Sequence, residues 1–246
     1  MAEDPTATLQ DASCDAFVKS LLPLYSGPMV TIRVAGREYK LSKHLICKQS
    51  RYFAKMFEEG KFKEGEEQSC DLEPIDDNDK VVTTQSFDIL VQWMYLGKLV
   101  FSSMKPDEEI TVALDLVRLA DMVEVTGLET LIAEHIKNII LKNPSPLDHK
   151  WDNQRHGDNN MFHISSQHLR SAWKLPDGHP VRKILAAASV EGYFRCSRPK
   201  FYQETREIPG FMGDLLDEIK EVLTKIRMGT LFEEPISGDS FDINDR

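Results

Sequence analysis

Along the first half of the chain the spacing of apolar residues switches repeatedly between helical and strand periods. From Asp11 to Tyr25, Phe17, Leu21 and Leu24 share one helical stripe, a short amphipathic helix interrupted near Pro23. Met29 to Val34 then alternates as a strand, Ala35-Gly36 turns it, and Glu38 to Leu41 returns, so the pair reads as a β-hairpin. Ser50 is the N-cap of a helix over 51–58 that buries Phe53, Met56 and Phe57. The charged run Glu58 to Glu67 reads as a loop, and Cys70-Asp-Leu-Glu73 as a short edge strand.

Helical spacing resumes at Thr84. Phe87, Leu90, Val91, Met94 and Tyr95 share a face that ends at Gly97, with a third strand expected at Lys98 to Phe101. Residues 108–123 align Val112 or Ala113 with Leu116, Val117, Ala120 and Val123. Thr126-Gly-Leu-Glu129 forms a capping box for a helix that buries Leu128, Leu131, Ile132, Ile136 and Ile139, and Asn143-Pro-Ser-Pro146 stops it. Beyond a connector rich in Asn, Asp, Gly and Pro, residues 165–174 and 180–194 read as helices, the second built on Val181, Ile184, Leu185, Ala188 and Val190. A last helix over 213–228 carries Leu215, Ile219, Val222, Leu223 and Ile226. The organisation is therefore a disordered N-terminus (1–9), an α+β domain (10–142), a flexible connector (143–162), a smaller, mostly α-helical region (163–228) and a disordered acidic tail (229–246).

Composition narrows the function classes. Of 246 residues, 41% are hydrophobic and 28% charged, near globular averages. The longest run without a charge is Ser20 to Ile32, too short and too broken by Pro and Gly for a membrane helix, which needs ~20 apolar residues. The acidic N-terminus lacks a secretory pattern, so a cytoplasmic or nuclear location is expected. A net charge of -10 disfavours nucleic acid as a partner. The exception is residues 170–206, where Arg170, Lys174, Arg182, Lys183, Arg195, Arg198, Lys200 and Arg206 face only Asp177, Glu191 and Glu204. That stretch leaves open a nuclear or transcription-associated scaffold touching nucleic acid or an acidic partner, but a solvated helix face is the better account of it, because few aromatics alternate with the charges as stacking platforms would require.

Catalytic and metal signatures are missing from the sequence: no phosphate-binding or dinucleotide glycine loop, no G-x-S-x-G, no H-E-x-x-H. Cys14, Cys47, Cys70 and Cys196 have no ligand spacing, so reduced thiols are expected, with Cys47 inert at the end of the hairpin. His149, His156, His163 and His168 lie in the connector and read as solvated. Asp76 to Asp79 lacks the glycine and distal glutamate of a calcium loop. No enzyme activity, cofactor or metal is expected.

Val30-Thr-Ile-Arg-Val34, Tyr39 to Cys47, Ser50-Arg-Tyr-Phe53, Phe62-Lys-Glu64, Cys70-Asp-Leu72, Phe87 through Trp93-Met-Tyr-Leu-Gly-Lys98, and Leu119 to Val123 with Leu128 and Leu131 stand in the order and spacing of a BTB/POZ domain. Residues 10–142 resemble that family, and the overall style resembles the single-BTB proteins of filamentous fungi. The resemblance implies a helix cluster capped by a short sheet, and a protein-interaction adaptor that self-associates, binds a cullin scaffold as a ubiquitin-ligase substrate adaptor, or does both. Phe62 and Glu64 match the hydrophobic-x-Glu motif of cullin-binding members, an apolar anchor beside a carboxylate. Phe17, Leu21, Leu24, Tyr25 and Met29 are the candidate self-association surface, a stripe that a symmetric partner would cover. Met29 and Ser42 stand where relatives carry an Asp and a His near a groove that some transcription factors use for corepressors, which turns the reading away from corepressor recruitment.

Overall fold

The computed structural model describes residues 17–73, 81–145, 159–196, 198–224, 231–233 and 240–242. The chain divides into two compact units, 1–139 and 140–246.

In the first unit a π-helical turn, Phe17–Leu21, runs into the single turn α1, Leu22–Tyr25. Strands β1 (Met29–Val34) and β2 (Arg37–Ser42) form the expected hairpin, Val30 opposite Leu41 and Ile32 opposite Tyr39. Ala35 and Gly36 both take positive φ, 48° and 81°, as the tightest right-twisted hairpins require. Val30, Ile32 and Val34 are buried, so the period-two alternation of the sequence is the alternation of the sheet. β3 (Ser69–Leu72) pairs parallel to β1, giving the order β2-β1-β3. A parallel partner needs a crossover. Three short helices supply it: α2 (Lys43–Gln49), α3 (Arg51–Met56) and α4 (Lys63–Glu67).

Ser50 caps α3 as expected: Phe53 N–H donates to its Oγ at 3.0 Å, and the same Oγ donates to the Val123 carbonyl at 2.6 Å. The cap thus also ties α3 to the end of α6 (Pro106–Met122). α5 (Thr84–Leu96) ends at Gly97 in the left-handed region, φ 62°. Tyr39 fastens β2 to α5, donating to Asp88 Oδ1 at 2.9 Å while Arg37 pairs with the same carboxylate at 2.8 Å. Phe53, Phe57, Phe87, Leu90 and Met94 lie wholly inside, with Ile110, Leu114 and Leu116 of α6 and Leu128, Ile132 and Ile136 of the α7 region (α7, Glu129–Lys142).

Several expectations change. The hairpin runs directly into α2, so Cys47 is on a helix and half-buried rather than at a strand end. The loop expected at 58–67 contains α4. Lys98 to Phe101 is not a strand: Val100 N–H donates to the Gln92 side-chain oxygen at 2.9 Å, and the Phe101 ring stacks on His135 at 4.1 Å. Those two contacts take up the segment where a strand neighbour would have to be. Leu131 is exposed, because it falls one residue outside the inward stripe 128–132–136–139.

In the second unit a 3₁₀ turn (Asn159–Met161) precedes α8 (Ser166–Ala172), α9 (Pro180–Arg195), α10 (Tyr202–Glu207) and α11 (Phe211–Thr224). α10 was not expected from the sequence pattern. Met161 is buried, so ordered packing starts inside the expected connector. α9 crosses α11, with Val181, Leu185, Phe211 and Leu215 buried. The stripe expected on the last helix is buried at Leu215 and half-buried at Ile219 and Leu223; Val222 is exposed, and Ile226 lies outside the described residues. The expected tail contains an antiparallel ladder, β4 (Leu231–Glu233) with β5 (Ser240–Asp242), where Phe232 and Phe241 stand opposite each other as β-favouring residues. The disordered N-terminus expected at 1–9 lies outside the described residues. No helix among the described residues is long and apolar enough to cross a membrane.

Candidate protein-interaction surfaces

Phe62 is the N-terminal flank of α4, and its own carbonyl accepts from Gly65 N–H at 3.0 Å. Its side chain stands 53% exposed. The short helix behind it is held from below. Gly65 is buried, and a Cβ there would fall inside contact distance of the Glu58 carbonyl oxygen and 3.0 Å from its carbon. Gln68 closes the helix in the left-handed region, its side-chain amide donating to the Gly65 carbonyl. Lys63 pairs with Glu67 at 3.4 Å on the outside. Glu64 is half-buried and acts inward: burial raises the Tyr52 phenol above its usual range, and the charges of Cys70 and Glu64 push the same way. The two motif residues therefore differ in exposure, an exposed ring and a half-buried carboxylate whose charge is felt at Tyr52 and Cys70.

The N-terminal candidates divide as well. A π-helical turn closes i→i+5 bonds, so it does not keep the 3.6-residue stripe read from the sequence. Leu21, Leu24 and Tyr25 are half-buried, Phe17 and Met29 are exposed, and so are Val18 and Leu22, which the sequence reading passed over. The carboxyl end of the segment is fastened to its own unit. Tyr25 OH donates to the Tyr95 carbonyl, and their rings meet edge-on at 5.8 Å. Ser42 Oγ donates to the Leu24 carbonyl at 2.5 Å, and Ser42 N–H donates to the Tyr95 hydroxyl at 2.8 Å. Lys43 N–H donates to the Pro28 carbonyl at 2.9 Å. A Cβ on Gly27 would stand 2.8 Å from His44 Nδ1, so glycine lets the chain pass that ring. Burial raises the Tyr25 phenol, with Tyr95 adding to it.

The remaining candidates serve packing. His168 and His179 are buried helix caps rather than solvated side chains. Ser165 N–H donates to His168 Nδ1 at 3.1 Å, and Val181 N–H donates to His179 Nδ1 at 3.2 Å. His149, His156 and Asp76 to Asp79 lie outside the described residues. No group of three or more metal-ligating side chains occurs among the described residues. Burial raises the Cys47 thiol, opposed by Lys43 rather than by the adjacent Lys48.

Much of the basic stretch 170–206 is engaged internally. Arg182, 3% exposed, meets Asp177 at 2.5 Å and Asp214 at 2.8 Å, and donates to the Leu175 carbonyl. Lys200 donates to the carbonyls of Met161, Phe162 and Ile164 at 2.7, 3.1 and 2.8 Å. Arg170 pairs with Glu207, Lys183 with Glu218, Arg195 with Glu191, and Arg206 donates to the Tyr202 hydroxyl.

Ser42, Tyr95 and Gly65 position these surfaces, and the apolar pattern did not mark them as doing so. The one available signal was Ser42, already conspicuous as a departure from the family's usual histidine. Residues 28–140, from just before β1 to near the end of α7, match the family model for the BTB/POZ domain. No curated protein matches the chain.

Proposed function

From the premise that residues 28–140 are a BTB/POZ domain, a protein-interaction module, we propose that this chain is an adaptor that binds a cullin scaffold through Phe62 and presents other proteins to it. The observation that carries the reading is the outward Phe62 ring on a helix end whose backbone is fixed by Gly65 and Gln68. Large side chains offered from a rigid support make strong interface anchors, because little ordering entropy opposes binding. Titration of the purified chain against a cullin N-terminal region tests it. Phe62→Ala is expected to weaken binding by at least about 30-fold, as for an anchor worth ~2 kcal/mol, with Glu64→Lys as the companion variant. No binding by the wild type, or binding unchanged from wild type in both variants, refutes the assignment.

The exposed Phe17, Val18, Leu22 and Met29 favour a second activity, self-association of the chain. Light scattering over a range of concentrations reads it directly, and a strict monomer removes it.

A further inference from the structure

We propose that the outer stripe of α11 is a docking face for an amphipathic helix of another protein, one whose apolar seam is flanked by acidic residues. The face lies on the second unit, so it goes beyond the cullin reading of Phe62 and stands or falls apart from it.

α11 carries two apolar stripes. Phe211 and Leu215 begin one, and both are buried where α9 crosses. The other is Met212, Leu216, Ile219 and Leu223, at spacings of four, three and four, and the sequence takes the next step of three to Ile226. This second stripe is the open one: Met212 and Leu216 are 44% and 64% exposed, and Ile219 and Leu223 are half-buried. Alternating steps of four and three make the d-a-d-a seam that one helix presents to another, so the pattern selects a helix as the occupant. Gly213 beside the seam adds room for it, since nothing lies within 4 Å of its would-be Cβ.

Charge gives the partner's sign. With Leu216 at a, the flanking e positions are Gly213 and Lys220, and the g positions are Leu215 and Val222. Lys220 is exposed and stands about 40° around the helix from Leu216. The acids of α11 are placed elsewhere. Asp214 and Glu218 meet Arg182 and Lys183 of α9 at 2.8 and 3.9 Å, and Asp217 and Glu221 lie about 100° and 140° around from Leu216. At the Met212 end, the Tyr193 hydroxyl stands 3.9 Å from Met212 Sδ, its ring is 6.5 Å from that of Tyr202, and the exposed Arg206 lies over Tyr202 at 5.4 Å. Cations therefore border the seam, and a partner with Glu or Asp on its flanks complements them. A second copy would bring Gly213, Lys220, Leu215 and Val222 to those flanks and no acid to face Lys220. The chain's overall -10 does not decide the matter, because exposed charges more than ~8 Å apart are largely screened at physiological salt.

The experiment is fluorescence anisotropy on the full chain at about 0.15 M salt. Its probes are two labelled helical peptides of about three heptads, both with Leu at every a and d position. One carries Glu and the other Lys at every e and g position, and like charge keeps each from pairing with itself. The wild type is expected to bind the Glu peptide about fivefold more tightly than the Lys peptide, and Lys220→Glu to reverse that preference. Met212→Glu/Leu216→Glu changes two exposed positions and is expected to weaken the Glu peptide at least about tenfold, with the circular dichroism of the chain unchanged. No binding of the Glu peptide by the wild type, a preference that Lys220→Glu leaves unmoved, or binding insensitive to the double variant overturns the proposal. Sedimentation velocity that finds a dimer of the chain alone, dissociated by Leu216→Glu, assigns the face to a second copy and overturns it as well.

Discussion

Gly65→Ala sets two opposed effects against each other at the base of the Phe62 surface. Gly65 is inside α4 with an ordinary negative φ, so helix propensity alone makes alanine stabilising by about 0.5–1 kcal/mol. Against this, the new Cβ would overlap the Glu58 carbonyl, with the carbonyl carbon at 3.0 Å. That atom belongs to backbone just past α3, beside the buried Phe57, and cannot rotate away as a side-chain tip would. Overpacking of this kind costs about 1–3 kcal/mol. Sterics are therefore expected to win, leaving a net destabilisation of roughly 1–2 kcal/mol and shifting α4 away from Glu58.

Gly60→Ala is the matched control. Gly60 has φ 76°, but nothing lies within 4 Å of its would-be Cβ, so the cost is about 1–2 kcal/mol of backbone strain with no steric push on α4. The assay pairs urea denaturation, with hydrogen exchange of the α3 amides assigning the loss to the first unit, with the cullin titration. Both variants lose stability, but only Gly65→Ala loses cullin affinity beyond that of the folded fraction. A Gly65→Ala chain more stable than wild type would show that propensity outweighs the clash, and the rigid-support argument for Phe62 would fail with it.

Ser50→Ala removes the α3 cap and leaves the Val123 carbonyl without its donor, so about 2–3 kcal/mol should be lost in equilibrium unfolding. In the second unit the two carboxylates on Arg182 should differ. Asp214→Ala takes the carboxylate from the buried Nε and Nη2 of Arg182 at about 2–3 kcal/mol, leaving Nη1 on Asp177 and the Leu175 carbonyl, whereas the Asp177 carboxylate is 96% exposed and Asp177→Ala should cost under about 1 kcal/mol, both read by hydrogen exchange of α9. Burial, aided by Asp71 and Glu64, pushes the Cys70 thiol from 9.0 up to about 12. Burial and the hydrogen bond to Asp88 push the Tyr39 phenol from 10.0 to about 12. Both groups hold their protons more tightly folded than unfolded, so their contribution is whole below pH 9 and is lost as pH climbs toward 12. Melting temperature should fall across that window, and a flat profile refutes the assignment.

The sequence disclosed those features of the fold that depend on period and on local chemistry. The alternation of Val30, Ile32 and Val34, the Ser50 cap, the Gly97 stop and the stripe of α6 are all properties of a few neighbouring residues, and all appear in the structure. What stayed hidden depends on partners distant in sequence. Ser42 meets Leu24 and Tyr95 across 18 and 53 positions, and Gly65 is required by a carbonyl on the preceding loop. The expected strand at Lys98 failed for the same reason: a strand needs a neighbour, and the Gln92 side chain and the His135 ring reach that segment instead. Of the interaction candidates, Phe62 was legible because an apolar residue in a charged run is conspicuous. The division of the N-terminal stripe was not, because it turns on a π-helical turn that shifts the register.

Charge shows the same contrast and bears on function. Eight cations against three anions over 170–206 suggested a surface for phosphate or for an acidic partner. Affinity for a polyanion scales with the cations free to displace counterions, at a salt slope of about 0.9 per contact. Arg182 is buried between two carboxylates, and Lys200 spends its three donors on three carbonyls, so neither is offered to solvent as a phosphate ligand. Arg170, Lys183 and Arg195 each have a carboxylate that a phosphate would have to displace. Local composition thus overstates the basic surface, because its cations hold α8, α9, α10 and α11 together. The same unit also exposes apolar side chains, Phe194, Met212 and Leu216 among them, so charge is not the only chemistry its surface offers.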